Sequence, residues 1–188
     1  MNIIIASNNK GKIKEFKELL GDKYNVLSMQ EVGVYGDIEE NGTTFLENAT
    51  IKAEYVYSKT GEIVIADDSG LCVPSLNNEP GVYSARYAGE NCSMEDNKKL
   101  LLQNLHGKDR KAYFTTCLVM LGKDKIVAYG KTEGEILFEE KGTNGFGYDS
   151  LFYSYDLNKS FGEATEEEKN KVSHRARAIK NLIDIINK

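Results

Sequence analysis

Cysteine, histidine and long apolar runs are scarce in this chain, and each scarcity removes a class of protein. Of 188 residues, three are cysteine and two are histidine. Cys72, Cys92 and Cys117 are odd in number, far apart and without a C-x-x-C pairing. That argues against a disulfide framework or a cysteine-based zinc site and fits idle thiols in a reducing compartment. Neither His106 nor His174 has a ligand partner at metal-binding spacing, so no histidine metal site is expected. The apolar stretch at residues 3–6 is too short for a signal segment, and nothing approaches a membrane span. A cytoplasmic protein without a membrane partner is expected. Excess positive charge is also missing: 24 Lys and Arg stand against 29 Asp and Glu, a net charge of -5. This argues against a general nucleic-acid binder but leaves room for one local basic pocket.

Several motifs are absent as well. The first loop lacks the G-x-x-x-x-G-K-[ST] spacing of a P-loop and the G-x-G-x-x-G of a dinucleotide fold. No glycine precedes Ser69 at nucleophile-elbow spacing, and there is no repeat, low-complexity tract or Pro/Gly linker. The length suits one domain over 1–188, and 40% hydrophobic residues suffice for a real core.

What is present reads as alternating elements. Residues 3–6 suit a strand buried on both faces, and Ile13, Phe16, Leu19 and Leu20 repeat at helical spacing up to Gly21. Residues 24–29 suit a second strand. Thr44-Phe45-Leu46-Glu47 is a capping box opening a helix to Gly61, with Phe45, Ala49, Ala53 and Val56 on its buried stripe. A strand over 62–66 then runs into Asp67-Asp68-Ser69-Gly70. A helix begins at Ser93, and residues 111–121 and 126–131 form an antiparallel hairpin, with 136–138 extending the sheet. Thr165 and Glu168 cap a further helical segment, and Ile179, Leu182, Ile183 and Ile186 stripe the last helix. The order implies an α/β fold with a mixed, twisted sheet.

Five segments carry chemistry-bearing residues. Ser7-Asn8-Asn9-Lys10-Gly11-Lys12 joins a strand to a helix N-terminus, whose backbone N–H groups suit phosphate, although alone it reads as a solvated turn. The adjacent carboxylates Asp67-Asp68 repel each other after a buried strand unless a divalent cation such as Mg²⁺ or Mn²⁺ neutralises them. Asp, Ser and Gly also form turns, and the strand-end position favours the functional reading. The acidic loop Asp37-Ile38-Glu39-Glu40 is a second source of carboxylates or a solvated surface, and Lys52 follows Asn48 on one helix face. Gly145-Phe146-Gly147-Tyr148-Asp149 is equally a turn with core aromatics or a platform for a flat nucleobase. Ser173-His174-Arg175 places donors at a helix start, or a plain cap and a surface cation.

Together, and in order, these segments resemble the inosine triphosphate pyrophosphatase family over nearly the whole chain. Added to them are Glu47-Asn48-Ala49 with Lys52-Ala53, and Pro80-Gly81-Val82-Tyr83-Ser84-Ala85-Arg86-Tyr87. The family carries proline after Gly-Phe-Gly-Tyr-Asp, where this chain has Ser150. The resemblance implies an elongated mixed sheet flanked by helices, two lobes with a central nucleotide cleft, and a homodimer. It implies Mg²⁺-dependent hydrolysis of ITP, dITP and XTP to monophosphate and pyrophosphate, with Mn²⁺ as a substitute metal. Asp68 is then the expected proton acceptor and a metal ligand, with Glu39 and Asp67 completing the metal site. Ser7, Asn8, Asn9, Lys10, Gly11, Lys12, Lys52 and Lys169 would hold the triphosphate, with Ser69 nearby. Phe146, Gly147, Tyr148, Asp149, His174 and Arg175 would stack on and read the base. Rival readings are a related pyrophosphatase with a different base pocket and a nucleotide sensor that does not cleave.

Overall fold

Ile3, Ile4, Ile5 and Ala6 are all buried, and the alternation of a strand sends them to two different cores. Ile3 and Ile5 join Phe16, Leu20 and Ile65, whereas Ile4 and Ala6 join Ala49, Ala53, Val56, Val64 and Ala66. This is the two-faced burial of a central parallel strand. The structure, a computed structural model, describes residues 2–187. Strand β1 (Asn2–Ile5) pairs in parallel with β2 (Asn25–Ser28) on one side and β3 (Val64–Val73) on the other.

Helix α1 (Lys10–Leu20) follows β1, with the Asn9 side chain as N-cap and Gly21 at its C-terminus at φ 60°. Helix α2 (Phe45–Thr60) starts at the expected capping box, where Thr44 accepts from the Glu47 N–H and Glu47 reaches back. Such a cap contributes about 1 kcal/mol. Gly61 ends it in the left-handed region, its N–H donating to the Tyr57 carbonyl. The short β4 (Glu79–Pro80) pairs with β3 and leads into a 3₁₀ helix, Gly81–Arg86. Helix α3 (Met94–Asn104) precedes β5 (Lys111–Leu121) and β6 (Lys125–Ile136), followed by β7 (Phe152–Ser154) and β8 (Lys159–Ser160). Helices α4 (Glu166–Val172) and α5 (His174–Ile186) close the chain. The eight strands form one mixed sheet in the order β2-β1-β3-β5-β6-β7-β8, with β4 paired to β3.

The chain divides into two compact units. The first comprises Met1–Asp68, Thr116–Gly130 and Ala176–Lys188; the second comprises Ser69–Thr115 and Lys131–Arg175. The first unit holds both aliphatic cores described above. The second has a core rich in aromatics, in which the Phe152 ring lies 4.5 Å from Phe114 and 5.1 Å from Phe161.

Three expectations need correction. The strand after α2 does not end at Ala66 but runs through Asp67, Asp68, Ser69 and Gly70 to Val73. The hairpin's second strand continues to Ile136, so 136–138 is not a separate extension, and Phe138 is exposed. Ile186 does not join the apolar stripe of α5; it is an exposed residue near the helix end, while Ile179 and Leu182 are buried.

Gly70 shows why β3 tolerates little change beyond its acidic pair. A Cβ there would lie 2.2 Å from the Gly81 carbonyl oxygen and 2.7 Å from Ser84 Oγ. Gly70→Ala should therefore destabilise the protein by about 1–3 kcal/mol, the usual scale of overpacking. Urea unfolding measures this, and an unchanged midpoint would show that the 3₁₀ helix is not held against the strand.

Candidate active site

The strand alternation that splits the isoleucines also splits the two aspartates. Asp67 shares the face of Ile65, toward α1, and Asp68 shares that of Val64 and Ala66, toward α2. Both are buried, Asp67 completely and Asp68 to 7% exposure. Each faces a lysine from the helix on its own side.

On the α1 face, Lys12 Nζ donates to Asp67 Oδ1 at 2.6 Å. Thr116 Oγ1, on β5, donates to Asp67 Oδ2 at 2.9 Å. On the α2 face, Lys52 Nζ donates to the Asp67 carbonyl oxygen at 2.7 Å and stands 3.6 Å from Asp68 Oδ1. Lys52 is also ion-paired with Glu40. Burial opposes its charge, but Asp68 and Glu40 outweigh it, and the Lys52 pKa lies above the ordinary lysine value.

Asp68 is in the opposite position. Burial pushes its pKa up to about 6; Lys52 and Lys12 pull it down, and Glu40 and Asp67 add to the rise. Its Oδ2 is buried and has no hydrogen-bond partner. A carboxylate with one unsatisfied oxygen and a pKa near neutrality suits proton transfer.

The phosphate-loop candidates of the first unit have distinct local roles. Ser7 Oγ accepts from the Asn9 N–H at 3.1 Å, and Asn9 Oδ1 accepts from the Lys12 N–H at 3.1 Å. The cap therefore uses one helix-terminal N–H; those of Lys10 and Gly11 have no acceptor within the helix. Lys10 is exposed, and Gly11 is half-buried. The Asn8 side chain donates to the Gly36 carbonyl at 2.9 Å and to Asp37 Oδ1 at 3.1 Å, and accepts from Gln30. It ties the loop to the acidic segment. That segment turns back at Gly42, whose N–H donates to Asn48 Oδ1 at 2.8 Å.

The carboxylates considered for a metal differ in exposure and contacts. Glu39 is exposed, whereas Glu40 is the residue beside Lys52 and Asp68. Asp67 has one oxygen engaged by Lys12 and the other by Thr116. Among the described residues there is no cluster of three or more His, Cys, Asp or Glu able to hold a metal ion. The orphaned Asp68 oxygen, with Glu40 on the same ammonium, does fit a hard cation that takes one or two carboxylates and completes its shell from phosphates and water.

In the second unit, the loop at residues 144–149 is fixed by its own side chains. Asn144 Nδ2 donates to the Ala164 carbonyl at 3.0 Å. Asp149 Oδ2 accepts from the Phe146 N–H at 3.0 Å and from Lys169 Nζ at 2.7 Å. Gly145, at φ +72°, has no alternative: a Cβ would lie 2.2 Å from Asp149 Oδ2. Gly147 is half-buried and also in the left-handed region, at φ +61°. Lys169 Nζ lies 4.6 Å from the centre of the half-buried Phe146 ring, so within this unit Lys169 belongs with the base-loop residues. Tyr148 turns inward and its OH donates to the Ser84 carbonyl at 2.7 Å, so its hydroxyl braces the loop. His174 is buried and stacked on Phe114 at 5.0 Å. Arg175 is 1% exposed, and its Nη2 donates to Ser69 Oγ at 3.1 Å.

Glu40, Thr116 and Ser84 were not singled out from the sequence. Glu40 was inseparable from its neighbour by pattern, and a threonine in a β-strand gives no signal. Ser84 lies in the segment 80–87, whose residues carry no chemical signal by type or spacing.

A buried carboxylate pair met by two lysines, beside a capped helix N-terminus, defines an enzyme class that handles phosphate groups. The chain belongs to the Ham1 family, whose model matches residues 3–185. It is similar to the dITP/XTP pyrophosphatase of Thermoanaerobacter pseudethanolicus, 50% identical over 191 residues that cover 99% of this chain and 96% of that protein. The dITP/XTP pyrophosphatase of Bacillus subtilis is 46% identical over 97% of this chain and 96% of its own length. Among solved structures, the Staphylococcus aureus Ham1 protein matches with a TM-score of 0.88 and 44% identity, over 100% of this chain and 98% of that one.

The raised Asp68 pKa carries a sign. The folded protein binds more protons than the unfolded chain between the ordinary carboxylate value of 3.8 and about 6, so stability falls as pH rises through that window. Removing the ionisable group should relieve the cost at neutral pH. Asp68→Asn should raise stability at pH 7 by about 1–3 kcal/mol without divalent cations, and by much less at pH 4. Thermal melts at both pH values measure this; a lower melting temperature for the variant at pH 7 would contradict it.

Proposed function

We propose that the chain hydrolyses deaminated purine nucleoside triphosphates, namely dITP, XTP and ITP, to the monophosphate and pyrophosphate. The observation that carries the reading is Asp68: buried, with a pKa of about 6 and a spare carboxylate oxygen, beside Lys52. Identity of 50% to a protein named as a dITP/XTP pyrophosphatase supports it.

In this reading a water oxygen bonds to phosphorus, the anhydride P–O bond between the α- and β-phosphates breaks, and pyrophosphate leaves. Asp68 accepts the water's proton; near pH 7 a carboxylate of pKa about 6 is mostly ionised yet basic enough to do so. Ser7, Asn9, Lys10, Gly11 and Lys12 hold the phosphates through helix-terminal N–H groups and positive charge, with Lys52 beside Asp68. Asp68 and Glu40 are the oxygen donors for Mg²⁺, with Mn²⁺ as a substitute. Such an ion supplies charge neutralisation of the phosphates and a more acidic water.

In the second unit Phe146 offers a ring face to the base, backed by the Lys169 ammonium. Arg175 and His174 supply donors. Hypoxanthine and xanthine present a 6-oxo acceptor, whereas adenine presents a 6-amino donor. A donor left facing a donor costs roughly 1–3 kcal/mol, enough for a tenfold or greater preference. Ser69, which accepts from Arg175, follows Asp68 directly in the chain. The reading includes a homodimer in the cytoplasm; among the described residues no helix is long and apolar enough to cross a membrane.

The test is pyrophosphate release with Mg²⁺ from a panel of ITP, XTP, dITP, ATP, GTP and dUTP. The expected result is release from the first three at least about tenfold faster, by kcat/KM, than from ATP. Release mainly from ATP or dUTP would refute the substrate claim, and release from none would refute the enzyme reading.

A further inference from the structure

Asp67 is spent differently from Asp68. It is completely buried, and the two carboxylate oxygens have named partners on separate elements: Lys12 on α1 and Thr116 on β5. Its side chain lies on the α1 face of β3, away from the α2 face that carries Asp68. A carboxylate so placed is committed to two partners already. It can hold Lys12. That lysine sits in the first turn of α1, where helix-terminal N–H groups suit an anion, and its ammonium donates to Asp67.

We infer that Asp67, fixed in turn by the Thr116 hydroxyl, is a positioning residue that sets the Lys12 ammonium at the phosphate loop. The inference rests on the triphosphate reading above. It gives Thr116 a function no pattern announces: its hydroxyl orients a buried acid that orients a phosphate-binding lysine. A flexible four-carbon side chain loses its aim without such an anchor, and an aimed ammonium binds phosphate with less ordering cost.

The measurement is calorimetric binding of inorganic tripolyphosphate in EDTA to wild type, Thr116→Val, Thr116→Ser, Lys12→Met and the double variant Lys12→Met/Thr116→Val. Valine keeps the β-branching of threonine and puts a methyl in place of the hydroxyl, which donates to Asp67 and stands 3.3 Å from the Asp68 carbonyl oxygen. Thr116→Val should weaken binding by about 3–10-fold, the scale of loosening one charge-assisted hydrogen bond, and Thr116→Ser should restore it. In the Lys12→Met background the valine should have no further effect, because its influence passes through Lys12. A purely structural threonine would lower the melting temperature in every background and leave this difference at zero. Equal effects in both backgrounds, no effect in either, or no tripolyphosphate binding by wild type would overturn the inference. So would a shift in the Mg²⁺ half-saturation of dITP hydrolysis by Thr116→Val at saturating dITP, which would place Asp67 on the metal. Thr116→Ser, which keeps the donor, remains informative if the valine variant folds poorly. Binding in EDTA does not depend on turnover, so a wild type that binds through Lys12 but cleaves nothing would refute the proposed function and leave this inference standing.

Discussion

Two ionised carboxylates side by side in a buried strand are the constraint on which the first unit depends. Burial penalises each charge there, and an opposite charge close by offsets the penalty. The fold meets this by sending the two acids to opposite faces and delivering a lysine to each. Lys12 arrives because α1 begins directly after the loop that follows β1. Lys52 arrives because α2 turns Asn48, Ala49, Lys52 and Ala53 to its buried side. Both helices are capped by polar side chains that fix where they start, and with them the reach of each lysine.

The neutralisation is uneven, and it leaves one carboxylate oxygen of Asp68 without a hydrogen-bond partner. Asp67 is held on both oxygens and acts as a fixed anion. Asp68 has Lys52 at 3.6 Å from one oxygen and nothing bonded to the other, so burial prevails and its pKa rises to about 6. The second unit uses the same device for another purpose. There Lys169 neutralises the buried Asp149, which in turn holds the Phe146 N–H, so an ion pair shapes an aromatic loop. In both units an ion pair fixes a buried position.

Much of this was legible in the residues. The β-branched run at 3–6, the Thr44–Glu47 capping box and the Thr165–Glu168 cap gave their elements because each rests on local physics. The glycines around Phe146 signalled an unusual loop, and two of them do stand at positive φ. The acidic pair was read as lying past a strand end, because aspartate disfavours strands and Asp-Ser-Gly favours turns. Long-range lysines overrode that local preference. The error hid the most useful consequence, since only a continuing strand puts Asp67 and Asp68 on opposite faces. The Lys52–Glu40 ion pair and the Thr116–Asp67 hydrogen bond join residues distant in sequence, which no spacing encodes.

The most direct test of the account is the turnover of Asp68→Asn with dITP and Mg²⁺, set beside its equilibrium binding of the same nucleotide. Asparagine keeps the shape and removes the proton acceptor. The account predicts a loss of kcat of about 100-fold or more, the usual scale for a missing general base, with dITP still bound. A variant that turns over at the wild-type rate would contradict it, because the buried, half-satisfied carboxylate would then not be where the reaction takes place.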